Sequence, residues 1–297
     1  MAGPSQNQTM PIASSDTSWD IAPSQGSAGY TSFSTPHTAG VTALLLGLAD
    51  DTTEPDDDEN EVIKAVIVNS TFPNINDRNN NPTYPADPCN VWHSQRGYGR
   101  LDALRAYNLL NSAKVTAGPV ISQQRGWAYE TMNNNGNRSY YIEGSRNHRL
   151  VVTVTWNRLI EKNGSNYDEE SSPKFNIDLT IKDPYDTVIH SESDTLNNLE
   201  KADLLLVENG TYEIYLDNTT SKSRGYALAF EVLAPLAGDF EPIDYIVDEN
   251  DLYIIAEQWL LEGPDLETDI TPNEKTDYGD FGMFFENWLQ IDAAYYN

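Results

Sequence analysis

The chain has 297 residues and a net charge of −28, from 46 acidic against 18 basic residues. That surplus of carboxylates argues against nucleic acid or an anionic membrane as partner, since both need positive surface, and it suits a protein that binds hard cations through oxygen. The single cysteine, Cys89, excludes an intrachain disulfide, no apolar run reaches the roughly 18 residues of a membrane span, and residues 1–20 lack the basic start and apolar core of a signal peptide.

At this length two or three domains are expected, at about 100–200 residues each. Residues 1–31, rich in Ser, Pro, Gly and Thr, read as loop. A helix is predicted from about Ser32 through Val41-Thr42-Ala43-Leu44-Leu45-Leu46. It is apolar almost all round and so calls for burial on every side. The acidic run Asp50 to Glu61, broken by Pro55, reads as a solvated loop or a calcium loop. Glu61 to Val68 is a second helix or a buried strand, which periodicity alone does not decide. Residues 72–95, full of Asn, Pro and Asp, read as a long surface loop, and the paired glycines Gly97 and Gly99 permit a tight turn before a further helix. From about Ala117 short β-rich runs follow: Leu150 to Trp156, Phe175 to Ile181, Ala202 to Val207, Thr211 to Leu216 and Tyr226 to Val232. Turn residues such as Asp183-Pro184 and Asn209-Gly210 divide them, and the pattern predicts an antiparallel β-sandwich. Asp178 and Asp183 are either calcium ligands at a sheet edge or turn formers.

The stretch Tyr30-Thr31-Ser32-Phe33-Ser34-Thr35-Pro36-His37-Thr38-Ala39-Gly40 resembles the serine-nucleophile motif of the subtilisin-like proteases. The resemblance makes Ser32 the nucleophile, with its backbone N–H contributing to an oxyanion hole. Tyr30 stands where the family has glycine, with Gly29 one position earlier. Gly97-Tyr98-Gly99-Arg100-Leu101-Asp102-Ala103 resembles the signature that starts the last helix of such domains. Trp19 to Pro23 is similar to the stretch before the serine loop, and the family favours a helix at Glu61 to Val68. The family's Asp, His and oxyanion-hole Asn precede the serine. Here the four histidines, His37, His93, His148 and His190, all follow it. A serine hydroxyl without a base is a poor nucleophile. His37 belongs to the motif and is read as structural, because helix neighbours lie three or four apart, not five. The runs around Trp156, Asp178, Asp183 and Tyr212 resemble the jelly-roll domain that follows the catalytic domain in some bacterial subtilases.

Residues 238–291 hold an internal repeat: Asp251 to Leu260 lines up with Asp280 to Leu289 at an offset of 29 residues. Each copy has an acidic loop before an amphipathic helix, which resembles the dockerin, a tandem of half EF-hands. Such loops place oxygen ligands at positions 1, 3, 5, 9 and 12 and a carbonyl at position 7. In the second loop these fall on Asp269, Thr271, Asn273, Asp277 and Asp280, with Lys275 as the carbonyl, and Glu274 stands at the usual glycine. In the first loop Asp244, Asp248 and Asp251 fit positions 5, 9 and 12. Position 1 falls on Phe240, and Asp239 serves only with an insertion. The plain alternative is a helical pair held by Trp259, Trp288 and neighbouring aromatics.

The expected organisation is therefore three-part. Residues 1–115 form the C-terminal part of an α/β subtilisin-like domain, 116–235 an antiparallel β-sandwich, and 236–297 a small helical dockerin-like domain with structural calcium. The resemblances imply the C-terminal portion of a secreted serine endopeptidase. It would act on protein or peptide substrates, carry a docking site for a cohesin-like partner, and lack the Asp and His of its triad. The rival expectation is a non-catalytic secreted anchoring protein that docks through the calcium-dependent module.

Overall fold

The computed structural model describes residues 10–15, 18–22, 31–71, 92, 97–240, 247–264 and 266–288. Strands β1 (Met10–Ser15) and β2 (Ser18–Ala22) form an antiparallel hairpin. Helices α1 (Thr31–Asp51), α2 (Asn60–Asn69) and α3 (Ala103–Leu110) follow. Then come β3 (Val120–Ile121), β4 (Arg125–Met132), β5 (Asn137–Gly144) and β6 (Arg149–Trp156). A small hairpin, β7 (Ile160–Asn163) and β8 (Asn166–Glu169), precedes β9 (Asp178–Lys182), β10 (Val188–Glu192), β11 (Leu199–Leu205), β12 (Gly210–Asp217) and β13 (Arg224–Leu233). Helices α4 (Glu249–Glu257) and α5 (Tyr278–Glu286) complete the described chain.

The centre is a β-sandwich. One sheet runs β10-β9-β12-β5-β3 and the other β11-β6-β13-β4. Every pairing is antiparallel except β3 with β5. Alternation sets which side chains fill the space between the sheets. Leu150, Val152, Val154 and Trp156 of β6 and Tyr226, Leu228 and Phe230 of β13 meet Leu179 and Ile181 of β9 and Tyr212, Ile214 and Leu216 of β12. Tyr140 and Tyr226 bury their hydroxyls there and satisfy each other at 2.7 Å.

The opposite face of the four-stranded sheet is not wet. Its residues are small or short, Ala227 and Ala229 on β13 and Thr153 and Thr155 on β6, and all are buried. That leaves room for α2 to lie close, with Val62, Ile63, Val66 and Ile67 packed on the sheet and on α3. Burying those four side chains contributes on the order of 6–12 kcal/mol. Hydrogen bonds pin both ends: Thr155 Oγ1 donates to the Glu61 carbonyl at 2.8 Å and Thr153 Oγ1 to Asn69 Oδ1 at 3.0 Å. The segment Glu61 to Val68 is thus a helix. Trp127 on β4 closes the layer, its Nε1 donating to the Leu110 carbonyl at 3.0 Å.

Helix α1 departs from the expectation of all-round burial. It packs on α2 and α3 through one stripe, with Leu45 and Ala49 buried and Val41 and Leu48 half-buried. Leu44 is 68 % exposed and Leu46 is 38 % exposed. The reason is positional: α2 and α3 occupy the outer sheet face, so α1 lies a layer further out and meets neighbours on one side.

Between α1 and α2 the acidic run is mostly turn. Helix α1 extends through Asp51, and α2 begins at Asn60. Asp56 pairs with Lys114 at 2.5 Å, and buried Asp57 accepts from Thr52 Oγ1. Most of the expected loop 72–95 lies outside the described residues, as do Cys89 and His93.

Candidate functional site

Ser32 is the second residue of α1; its side chain lies outside the described residues. His37 is exposed on the same helix. At 100° per residue, five positions bring it about 140° round the axis from Ser32. His148 and His190 belong to the sandwich, in the β5–β6 turn and on β10. Before α3, Gly97 and Gly99 take φ values of 61° and 123°, a region costly for any residue with a Cβ. Asp102 then caps α3, its carboxylate accepting from Arg105 N at 3.0 Å. The glycine pair thus turns the backbone shortly before a capped helix start.

The C-terminal repeat is a repeat in three dimensions. Asp248 caps α4 and Asp277 caps α5 with nearly the same backbone, φ −136° and ψ −160° or −165°. Each has a reciprocal partner three residues on, Asp251 and Asp280, whose carboxylate takes the backbone N–H of the cap. These boxes satisfy helix-start donors that would otherwise be orphaned. The helices share a small core of Phe240, Val247, Ile255 and Phe284. Trp259 packs edge-on against Tyr278 at 5.2 Å, and Trp288 lies 5.4 Å from Phe284.

In the second loop Asp280, fully buried, accepts from Thr271 N at 2.7 Å, Thr271 Oγ1 at 2.8 Å and Asp277 N at 2.7 Å. Burial pushes its pKa up, but those donors outweigh burial and hold the carboxyl below its ordinary range. Asp269 takes the N–H groups of Asn273 at 3.1 Å and Glu274 at 2.8 Å. Asn273 Nδ2 reaches Asp277 Oδ2 at 3.4 Å. Glu274, at the position expected to be glycine, has φ 63°, so the sharp turn is kept without the residue that makes it cheap. Lys275 Nζ pairs with Glu262. In the first loop buried Asp251 accepts from Phe240 N and Asp248 N, both at 2.8 Å; Asp244 lies outside the described residues.

The second-loop donors are all oxygen, which suits a hard cation. They are arranged as a hydrogen-bonded loop, with carboxylates drawn to backbone N–H groups. Among the described residues no three His, Cys, Asp or Glu side chains gather closely enough to hold a metal ion. Each carboxylate has about four acceptor sites; Asp280 fills its own with Thr271 N, Thr271 Oγ1, Asp277 N and its own backbone N–H, whereas Asp269, bonded to the N–H groups of Asn273 and Glu274, keeps capacity.

The other calcium candidates are turn formers or strand ends. Asp183 Oδ1 accepts from Tyr185 N at 2.9 Å and Thr187 N at 2.8 Å, and Asp178 Oδ1 accepts from Asn176 Nδ2 at 2.8 Å. Three titratable groups that the sequence reading passed over lie on or beside β11: Glu192, Glu200 and Lys201. Lys201 is buried under α2 with Nζ donating to the Val68 carbonyl at 2.8 Å and to Thr71 Oγ1 at 3.1 Å. The available signal was charge inside an otherwise strand-like run, Leu199-Glu200-Lys201-Ala202.

No family profile matches the chain, and no curated protein sequence matches it. Among the described residues no helix is long and apolar enough to cross a membrane. Among solved structures, the chain is similar to a periplasmic inhibitor of g-type lysozyme from Aeromonas hydrophila, at 10 % identity and a TM-score of 0.28, covering 40 % of this chain and 99 % of that one. It is also similar to the pre-peptidase C-terminal domain of a Bacillus anthracis collagenase, at 10 % identity and a TM-score of 0.28, covering 41 % and 99 %. A surface-associated copper-binding protein from Methylomicrobium album BG8 matches at 8 % identity and a TM-score of 0.26, covering 41 % and 100 %. At such scores none of them bears on what this chain does.

Proposed function

We propose that this chain is the C-terminal portion of a secreted subtilisin-like serine endopeptidase, with a β-sandwich and a calcium-responsive docking module behind its nucleophile. The observation that carries the reading is where two helices open. Helix α1 begins at Thr31, one residue before Ser32, and α3 begins at Ala103, directly after the positive-φ glycines and the Asp102 cap. The first backbone N–H groups of a helix have no partner within it. A serine in that turn sits beside donors suited to a developing oxyanion. Ser32 Oγ is then the group that attacks a peptide carbonyl, once a base removes its proton.

His37 stands about 140° round the helix axis from the position of Ser32, and in the resembling family the base and its carboxylate precede the serine. This chain alone is therefore expected not to hydrolyse peptides at a useful rate, since loss of a triad lowers turnover about 10⁶-fold. The test pairs a casein assay with fluorophosphonate labelling. The chain should be silent in both. The same chain joined to its upstream coding sequence should label and turn over, with both signals abolished by Ser32→Ala. An upstream frame without the Asp and His motifs, or turnover indifferent to Ser32→Ala, refutes the reading.

The second reading, a non-catalytic anchoring protein, is favoured by the matched caps of α4 and α5. In it the loops before these helices take calcium, and a cohesin-like partner is captured through the helical pair.

A further inference from the structure

Glu200 is an acid inside an apolar layer. It stands on β11 opposite Val154 of β6, on the face that fills the sandwich, and is 0 % exposed. Neither of its carboxylate oxygens makes a well-formed hydrogen bond among the described residues, and the backbone N–H of Asp194, turned toward it, offsets only part of the cost of burial. A lone ionised carboxylate in such a place is so costly that the group takes up a proton instead. The neighbouring acid is Glu192, on β10. That strand is the edge of the other sheet, and Glu192 opposes Leu179, another core residue. Glu192 Oε2 accepts the backbone N–H of Lys201 at 3.1 Å. This bond ties the two edge strands together and fixes Glu192 beside Glu200.

Asp194 adds negative charge beside the pair, while the Arg158 guanidinium holds its turn through the Thr195 and Asn197 carbonyls at 2.8 and 2.7 Å. Asp194 lies in the β10–β11 turn, and the Tyr98 phenol faces it from the segment before α3. His190 shares the inward face of β10. From β6 the neighbours are Val154 and Trp156. Lys201 points the other way, into α2, and Lys64 of α2 reaches only the start of β11, donating to Asn198 Oδ1 at 3.0 Å. Burial first, then the charge of Glu192, pushes Glu200 up to about 9, and burial raises Glu192 as well. As two carboxylates these groups have no donor between them and repel. With one proton they make a single O–H···O bond and bury one charge fewer.

We infer that a proton shared by Glu200 and Glu192 closes the seam between β10 and β11, so that this edge of the sandwich opens as the solution turns alkaline. A carboxyl returned to water regains its ordinary value of 4.5. The closed seam thus holds one more proton than the open one across the window from 4.5 to about 9. Its stability is full below that window and is lost as pH rises through it. One released proton makes opening tenfold more frequent per pH unit.

The experiment is amide exchange on the full chain at pH 5, 6 and 7, below the range where Lys201 loses its proton, corrected for intrinsic rates, with β4 and β13 as internal reference. Peptides covering residues 188–205 should lose protection about tenfold per pH unit relative to the reference. Glu200→Gln, neutral throughout and able to donate to Glu192, should flatten that slope. A flat wild-type profile overturns the inference, whatever the variant does. So does a slope that survives Glu200→Gln. Millimolar calcium that abolishes the wild-type slope overturns it too, because the seam would then be a cation site and not a proton latch.

Discussion

Calcium should order the second loop of the C-terminal repeat, and linkage sets the size of the effect at a given excess over Kd. Asp269, Asp277 and Asp280 lie within twelve residues, and the lysine among them, Lys275, spends its charge on Glu262. Bringing these carboxylates together is opposed by their own repulsion, which a bound dication removes. A ligand that binds only the folded loop stabilises it by RT ln(1 + [L]/Kd), about 2.7 kcal/mol at one hundred times Kd. In amide exchange that is about a hundredfold rise in protection over residues 269–288 when free calcium replaces chelator. Two variants separate ligation from folding. Asp269→Ala strips the half-exposed carboxylate that takes the N–H groups of Asn273 and Glu274. It should cost no more than about 1 kcal/mol without calcium yet abolish the calcium increment. Asp280→Asn preserves shape at a buried site with four donors, so it should cost about 1–3 kcal/mol in either buffer and also lose the increment. Exchange that is the same in calcium and chelator would refute the reasoning. The repeat would then be a helical pair held by Trp259, Phe284 and Trp288.

Two further outcomes test the packing that carries these sites. Tyr140→Phe strips the buried Tyr226 hydroxyl of its 2.7 Å partner and should cost about 1–3 kcal/mol in urea unfolding, and Tyr226→Phe should cost less because the Tyr140 hydroxyl keeps Glu130 beside it. The double variant should cost clearly less than the sum, and additive costs would mean that the 2.7 Å bond contributes little. Burial lowers the Lys201 pKa to about 7 from an ordinary 10.5, so over that window the unfolded chain holds the extra proton and stability rises with pH. The wild-type stability relative to Lys201→Met should climb with pH by up to about 1.4 kcal/mol per unit, and a difference that stays constant from pH 7.5 to 9.5 would count against a buried, largely neutral amine.

The strands that were legible in the sequence are those whose two faces differ. β12 alternates half-buried and buried along Gly210–Asp217, and β13 alternates large core residues with Ala227 and Ala229. β4 and β5 were not legible. In β4, Trp127, Ala128 and Tyr129 are consecutive and belong to two different clusters, Ala128 to the sandwich and its neighbours to the helix layer. A strand covered on both faces loses the period-2 signal, and the aromatic and charged residues of β5, Asn137–Gly144, hide it further. α2 was ambiguous for the same reason, being apolar on more than one face. The misreading of α1 has another origin. An apolar helix reports that it can be buried, whereas which neighbours reach it depends on elements far away in sequence.

The candidate sites divide along the same line. Ser32, the glycine pair and the acidic repeat stood out as candidates because each is a local pattern: a motif at the start of a run of apolar residues, a turn before a cap, a spacing of oxygen-bearing side chains. Glu200 and Lys201 were not, because their chemistry arises from what covers them. On an open sheet Leu199-Glu200-Lys201 would be an ordinary strand start with two solvated charges. Once β10 closes over one face and α2 over the other, successive residues become a buried acid and a buried amine, one raised toward 9 and the other lowered toward 7. Glu274 illustrates the converse. The missing glycine pointed to a degenerate loop, yet the backbone takes φ 63° there regardless. The left-handed conformation costs roughly 1–2 kcal/mol for a residue with a Cβ. The N–H of Glu274 recovers part of that cost through its 2.8 Å bond to Asp269. The turn is thus held by the same carboxylate that the dockerin resemblance puts at its first ligand position, so that if a cation binds there, the shape of the loop is coupled to the charge it neutralises.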